Sequence, residues 1–238
     1  MARLPLLLVV PLSLLGSSLA SADFYSHRYG GISLQHTAQD PLCHNARAFV
    51  DGLNGEQQTA QLANCTDSGP GAKLYAGWRW SPSFAVEADL RQAATTTAQF
   101  SISNPQLPYL NIKETLTTRM GNAFVVGHLP VGRSGVSVFG KVGGGFWLGQ
   151  LRSRQRGDAL AVFQLEDGSL QPVLFPVDGT FSESTSGFHW GYGAGVSYSF
   201  RNRWSLRAEW EWFPEIGSDA LLGKHDVESA SLGWSVHF

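Results

Sequence analysis

The stretch Ser229–Phe238, SASLGWSVHF, sets Ala230, Leu232, Trp234, Val236 and Phe238 against Ser229, Ser231, Gly233, Ser235 and His237 in strict alternation. In an extended chain successive side chains point to opposite faces, so this segment is a strand with one apolar face and one face of small or polar groups. Terminal residues of soluble domains usually fray in polar sequence. Here the last side chain, Phe238, is aromatic, and the segment reads as a wall between an apolar medium and a polar one.

The same period recurs upstream. The first such segment runs from Phe24 to Thr37, with a β-bulge expected at Gly30-Gly31. KLYAGWRW (73–80) puts Leu74, Ala76, Trp78 and Trp80 opposite Tyr75, Gly77 and Arg79. FAVEADLRQA (84–93) puts Phe84, Val86, Ala88 and Leu90 opposite Glu87, Asp89 and Arg91, and only Ser81-Pro82-Ser83 separates the two, a tight turn between antiparallel neighbours. Further strands are expected over 116–129, 136–151, 187–200 and 204–213, which with the terminal segment makes eight. The connections alternate long and short, and a meander places every second connection on one side. All long connections therefore leave from one rim.

Composition agrees with strands facing lipid. Charged residues make up 15% of the chain, against ~25% in ordinary globular domains, while it carries 27 Gly and 8 Trp. Alternating strands rich in glycine and aromatics, without long apolar runs, are the signature of a transmembrane β-barrel. Such a sheet must close, because an open edge in lipid leaves backbone groups unpaired. The expected fold is all-β, an eight-stranded antiparallel up-and-down transmembrane barrel. A ten-stranded variant stays open at LAVFQLEDGSLQPVLF (160–175), where Asp167-Gly168 is a strong hairpin turn. Pro172 and Pro176 argue instead for a ribbon extending beyond the membrane.

Residues 1–22 carry Arg3, an apolar run broken by Pro11, and small residues at Ala20 and Ala22, the pattern of a secretory signal peptide, which leaves a barrel domain over 23–238. A retained anchor helix is the alternative. It is disfavoured by a run shorter than the ~20 apolar residues of a span. Cys43 and Cys65 lie in one polar stretch of an exported chain and read as one disulfide pinning a loop; His44 alone stands between them as a further strong metal ligand. The formal net charge of −2 gives no case for nucleic-acid binding, which would want a basic stripe. No cofactor is expected.

KLYAGWRWSPSFAVEADL (73–90), VGHLPVGRSGVSVFGKVGGGFW (126–147) and HWGYGAGVSYSFRNRWSLRAEWEWF (189–213), followed by a C-terminal Phe, resemble the eight-stranded transmembrane domain of the OmpA family of outer-membrane proteins. The resemblance spans nearly all of residues 23–238, without the peptidoglycan-binding domain that many members append. It implies a monomer among outer-membrane lipid and lipopolysaccharide. It also implies a C-terminal signal, here Trp234, Val236 and Phe238, read by the barrel-assembly machinery. The inward charges Arg79, Glu87, Asp89, Arg91, Arg119, Lys141, Arg207, Glu209 and Glu211 would then form a luminal salt-bridge plug, the inward parity of Arg119 being open.

Three functions follow as expectations. A structural or surface-interaction role would sit in the loops, with NARAFVDGLNG (45–55) compatible with a short helix and RSRQRG (152–157) in the third loop binding an extracellular ligand. A narrow or gated pore would need the luminal ion pairs to exchange partners. A lipid-modifying enzyme is the third class, and neither a GxSxG elbow nor a phosphate loop is present; Glu209 and Glu211, two apart on one face, read as members of an ion network rather than a paired acid and base.

Overall fold

Antiparallel pairing joins the alternating segments into one closed wall. The computed structural model describes residues 27–40, 42–55, 59–103, 109–164, 168–200, 203–218, 221 and 223–238. Its strands are β1 (His27–Asp40), β2 (Thr59–Thr66), β3 (Ser68–Arg79), β4 (Phe84–Gln92), β5 (Thr96–Ser103), β6 (Leu110–Pro130), β7 (Val136–Gln164), β8 (Leu170–Phe200), β9 (Trp204–Ser218) and β10 (Gly223–His237), with one helix, α1 (Leu42–Gly55). The neighbour order β1-β3-β4-β6-β7-β8-β9-β10 returns to β1, so the ring closes through eight strands. The expected signal peptide and Phe24 lie outside the described residues.

Closure is made by the first and last strands. β1 and β10 pair from Tyr29 opposite His237 to Asp40 opposite Asp226. The Arg28 and Phe238 backbones exchange hydrogen bonds of 3.0 and 2.9 Å. The bulge expected at Gly30-Gly31 is absent, for both residues stay in register with β3 and β10. These positions are glycine for a different reason: a Cβ on Gly31 would meet the Tyr75 hydroxyl at 2.6 Å, and one on Gly77 would enter the Tyr29 ring. Two luminal tyrosines therefore lie flat across the glycines of the neighbouring strand.

The lipid face follows the alternation. Leu34, Leu74, Leu90, Val142, Phe188 and Leu232 are exposed outward, while their sequence neighbours Ser33, Lys73, Asp89, Lys141, His189 and Ser231 are buried inside. Along β6 the outward face runs from Leu129 to Arg119, ten residues apart. That is ~33 Å of strand at ~3.3 Å per residue, or ~23 Å of height at ~45° tilt, close to the ~25 Å apolar band of an outer-membrane barrel. Aromatics gather near both edges of it. Trp204 stacks on Trp234 at 4.7 Å near the short turns, and Trp190, Tyr192, Trp210 and Trp212 form a cluster toward the other rim.

The short-turn rim is tight. Ser81 Oγ accepts from the Ser83 and Phe84 amides, and Gly132 and Gly135 take positive φ between β6 and β7, where L side chains fit poorly. The opposite rim is where the sequence expectation and the structure differ most. β2 and β5, expected as loop, form an annex that pairs onto the upper part of β6. α1 covers it, with Val50 packed among Ala60, Phe100 and Ile102, and the Cys43–Cys65 disulfide ties helix to strand. β5 in fact alternates Ala98, Phe100 and Ile102 against Gln99, Ser101 and Ser103, a short pattern that the helix buries on one side. The expected ribbon is present: β7 and β8 pair continuously up to Gln164 opposite Leu170, and β9 and β10 likewise extend into the stretch expected as loop.

Candidate functional site

The lumen holds a closed ion network in its middle. Four cations, Lys73, Arg91, Lys141 and Arg207, meet four carboxylates, Glu87, Asp89, Glu209 and Glu211, and all eight are buried. Glu211 binds Arg91 at 2.6 Å, Lys141 at 2.5 Å and Lys73 at 3.0 Å. Glu209 binds Lys141 at 3.0 Å, Arg207 at 2.8 Å and Lys73. Glu87 takes Arg207 through two hydrogen bonds of 2.5 and 3.2 Å, and Tyr29 donates to it at 3.0 Å. Asp89 accepts from Arg91 and from the Asn122 amide at 2.6 Å, and Asn122 in turn meets His189 at 2.6 Å.

Equal numbers of opposite charges, bridged in this way, meet the condition for keeping ions away from water. The strands explain why they meet. Lys73 and Tyr75 on β3, Glu87, Asp89 and Arg91 on β4, Lys141 on β7, and Arg207, Glu209 and Glu211 on β9 all have inward parity, and an eight-stranded interior is narrow enough for side chains to span it. Aromatic rings fill the remaining space, with Arg207 over Phe139 at 4.2 Å, Lys141 over Phe124 at 4.4 Å and Arg91 over Phe213 at 4.6 Å. Glycines of β8 make room for two of these rings: a Cβ on Gly195 would enter Phe139 and one on Gly191 would enter Phe213.

Two further layers close the lumen. Toward the annex, the Gln39 amide donates to Ala94 O at 2.5 Å and Thr96 Oγ1 at 2.9 Å, and Thr118 donates to Gln39 at 3.1 Å. Leu42 from α1, with Leu116, Met120, Trp147, Ile216 and Leu221, adds a buried apolar lid there. Toward the short turns, Ser205 contacts Ser235 at 2.6 Å and His237 at 2.9 Å. A cavity of about 30 Å³ remains among these groups, room for about one water.

The structure therefore brings eight of the nine charges expected in the lumen onto its inner face or its mouth and sends the ninth outward. Arg79 lies at the turn end, where its guanidinium donates to the Ser81 and Pro82 carbonyls. Arg119 is a correction: it is exposed on the outer wall, because β6 turns Thr118, Met120, Asn122, Phe124 and Val126 inward. The inward face of β6 is largely apolar, and charge alone misleads about its parity. Conversely, Lys73 is a central member that stands out only through its shared parity with Tyr75 and Arg79. Cys43 and Cys65 are bonded, with Cα atoms 5.8 Å apart. Trp234, Val236 and Phe238 share the lipid face of β10 and the residue that follows it.

A closed antiparallel ring, an apolar outer band with aromatic edges and a polar interior define an integral outer-membrane β-barrel protein. The chain matches the family model for the outer membrane protein beta-barrel domain over residues 8–238 and belongs to that family. It is similar to Ail, the attachment invasion locus protein of Yersinia pestis, solved with the heparin analogue sucrose octasulfate (14% identity, 90% of this chain and 100% of that chain, TM-score 0.44). It is likewise similar to Neisserial surface protein A (16%, 89% and 97%, 0.41) and to OprG from Pseudomonas aeruginosa (11%, 90% and 96%, 0.42). No curated protein matches the chain. The protein resides in the outer membrane.

Proposed function

We propose that this barrel is a surface-interaction protein whose contacts are made by the ribbon and the annex on its long-loop rim. The observation that carries this reading is strand length. β7 and β8 run for 29 and 31 residues, about three times the ~9–11 that cross a bilayer. The far end of the ribbon carries exposed Val162, Phe163, Leu170, Leu174 and Phe175, apolar side chains well beyond the lipid. α1 and its disulfide give the neighbouring loop a fixed shape. Replacing residues 158–179 by a short turn should abolish binding of expressing cells to neighbouring cells or matrix proteins while the barrel still assembles. Unchanged binding would remove the reading.

We read the chain as non-enzymatic. Glu209 and Glu211, the carboxylate pair best placed for acid–base work, are each held by three cations, which supports structural use. A gated pore is the second reading, favoured by Lys141, which is shared among Glu87, Glu209 and Glu211 and so has alternative partners to exchange. Planar-bilayer conductance at background level would dismiss it. The Trp234-Val236-Phe238 face is the proposed address for the barrel-assembly machinery, and residues 1–22 the cleaved leader. Phe238→Ser should then lower assembled barrel more than it lowers the stability of barrel already assembled.

A further inference from the structure

The short-turn end of the lumen is positive beyond what the ion network neutralises. Four cations and four carboxylates balance within the network itself. Below it, Arg79, Arg207, His128, His237, Ser205 and Ser235 line the cavity of about 30 Å³, and no aspartate or glutamate stands on its wall. Arg207 turns its two terminal nitrogens to Glu87 and Glu209, and its buried Nε finds no acceptor among the described residues. His128 is placed alike: its Nδ1 lies 3.5 Å from the Ser137 hydroxyl, and its buried Nε2 has no partner among the described residues. A Ser137 hydroxyl that donates to Nδ1 leaves the ring proton on Nε2. Two N–H donors therefore belong to residues that border one small space, together with the Ser205 and Ser235 hydroxyls, 2.6 Å apart. Buried donors without acceptors are costly and rare in a folded protein.

We infer that this cavity binds a monatomic halide ion, with Arg207, His128 and Ser205 as donors and Arg79 as a guanidinium at its turn end. Sign gives the anion, since a wall with two guanidiniums and no carboxylate favours a negative guest over a cation. Size gives the halide. Room for about one water admits a single-atom ion, whereas phosphate, sulfate and carboxylate, each with several heavy atoms, do not fit. The approach is favourable too: the short turns, residues 81–83, 131–135 and 201–203, hold Arg133, Arg201 and Arg203 and no acidic residue. Their field draws anions toward the lumen from the side of the short turns, which is the periplasmic side. Once bound, the ion supplies the acceptor that Arg207 Nε and His128 Nε2 lack. It also joins β3, β6 and β9 at one point and so stabilises the assembled barrel.

The test uses the full barrel in phosphatidylcholine vesicles, with the urea midpoint followed as sodium chloride replaces sodium gluconate at one ionic strength, so that screening stays constant. Chloride should raise the midpoint along a saturating curve, and bromide should do the same. Crystals grown from gluconate and soaked in bromide should show anomalous density in the cavity beside Arg207 Nε, and a sulfate soak should leave the cavity without sulfate. R79Q removes a guanidinium from the cavity wall but no member of the ion network. It should need about tenfold more chloride for the same shift, the worth of one charged contact. R133Q, at an exposed turn position, should titrate as wild type. Equal midpoints in chloride and gluconate would overturn the inference, with or without bromide density, which would then reflect binding at crystal concentration only. Sulfate in the cavity, or a wild-type chloride curve for R79Q, would overturn it as well. If R79Q does not assemble, S205A decides by the same titration, with roughly threefold weaker chloride dependence expected and an unchanged curve overturning the inference.

Discussion

Arg91, Arg207, Lys73 and Lys141 on the inner wall and Arg119, Arg152, Arg154 and Lys113 on the outer wall are the same residue types in the same sheet, and their circumstances are opposite. The inner four touch four carboxylates and no bulk water. The outer four are exposed, and Asp178 is the carboxylate that their ion pairs reach, through Arg154. β7 supplies both kinds, Lys141 inward and Arg152 outward, so the strand does not decide the fate of a cation. Parity and height do. Inside the membrane band an ion survives only when paired; above it an ion is free to seek a partner from outside the chain.

This contrast can be attacked from either side. The largest effect is expected from Glu211→Ala, which strands Lys73, Lys141 and Arg91 without their shared acceptor. Breaking a buried ion pair in this way costs about 3–5 kcal/mol, to be read as a lowered urea midpoint in vesicles. A midpoint unchanged by Glu211→Ala would mean the lumen is wet and the network dispensable. Val142→Arg comes next. It puts an unpaired cation at mid-height on the lipid face, where about 2–4 kcal/mol is lost. The same substitution on an outer wall in water would be nearly neutral, so this variant also tests the membrane band.

A smaller and local effect is expected from Cys43→Ser with Cys65→Ser. Releasing a loop of this size costs about 3 kcal/mol by chain entropy, and it falls on α1 and β2 rather than on the ring. Hydrogen exchange should quicken in residues 42–66 and stay unchanged in β9 and β10. The smallest effect is that of R119Q/R152Q/R154Q on unfolding in plain phosphatidylcholine. Exposed charges contribute little, so a shift within about 0.5 kcal/mol is expected, in contrast with Glu211→Ala. A large loss would place these arginines in the structural core of the wall, like the cations of the lumen.

The legibility of these features follows binary contrast. β4, β8, β9 and β10 alternate apolar against charged, small or polar residues, and their faces can be read directly. β6 cannot be read that way, because Met120, Phe124 and Val126 face inward while Ala123, Val125 and Leu129 face outward. Both faces being apolar, the lone charge at Arg119 is a poor guide to orientation. β2 offers little contrast because both of its faces are mainly polar or half-exposed. β5 does alternate, but the helix that gives its apolar face a partner is distant in register and invisible to periodicity.

The amino-acid sequence by itself determined the medium of each face in the strands of clear binary contrast, the closure of the ring and the rim from which long connections leave, because a period of two in side-chain polarity is a local property of each such strand. Only the tertiary structure decided which charges meet. Lys73, Glu211, Lys141 and Arg91 come from four strands and are neighbours solely because a narrow barrel folds those strands around one axis. The outer cations depend on tertiary structure too, since sheet register sets Lys113 beside Arg154 and sets both above the lipid.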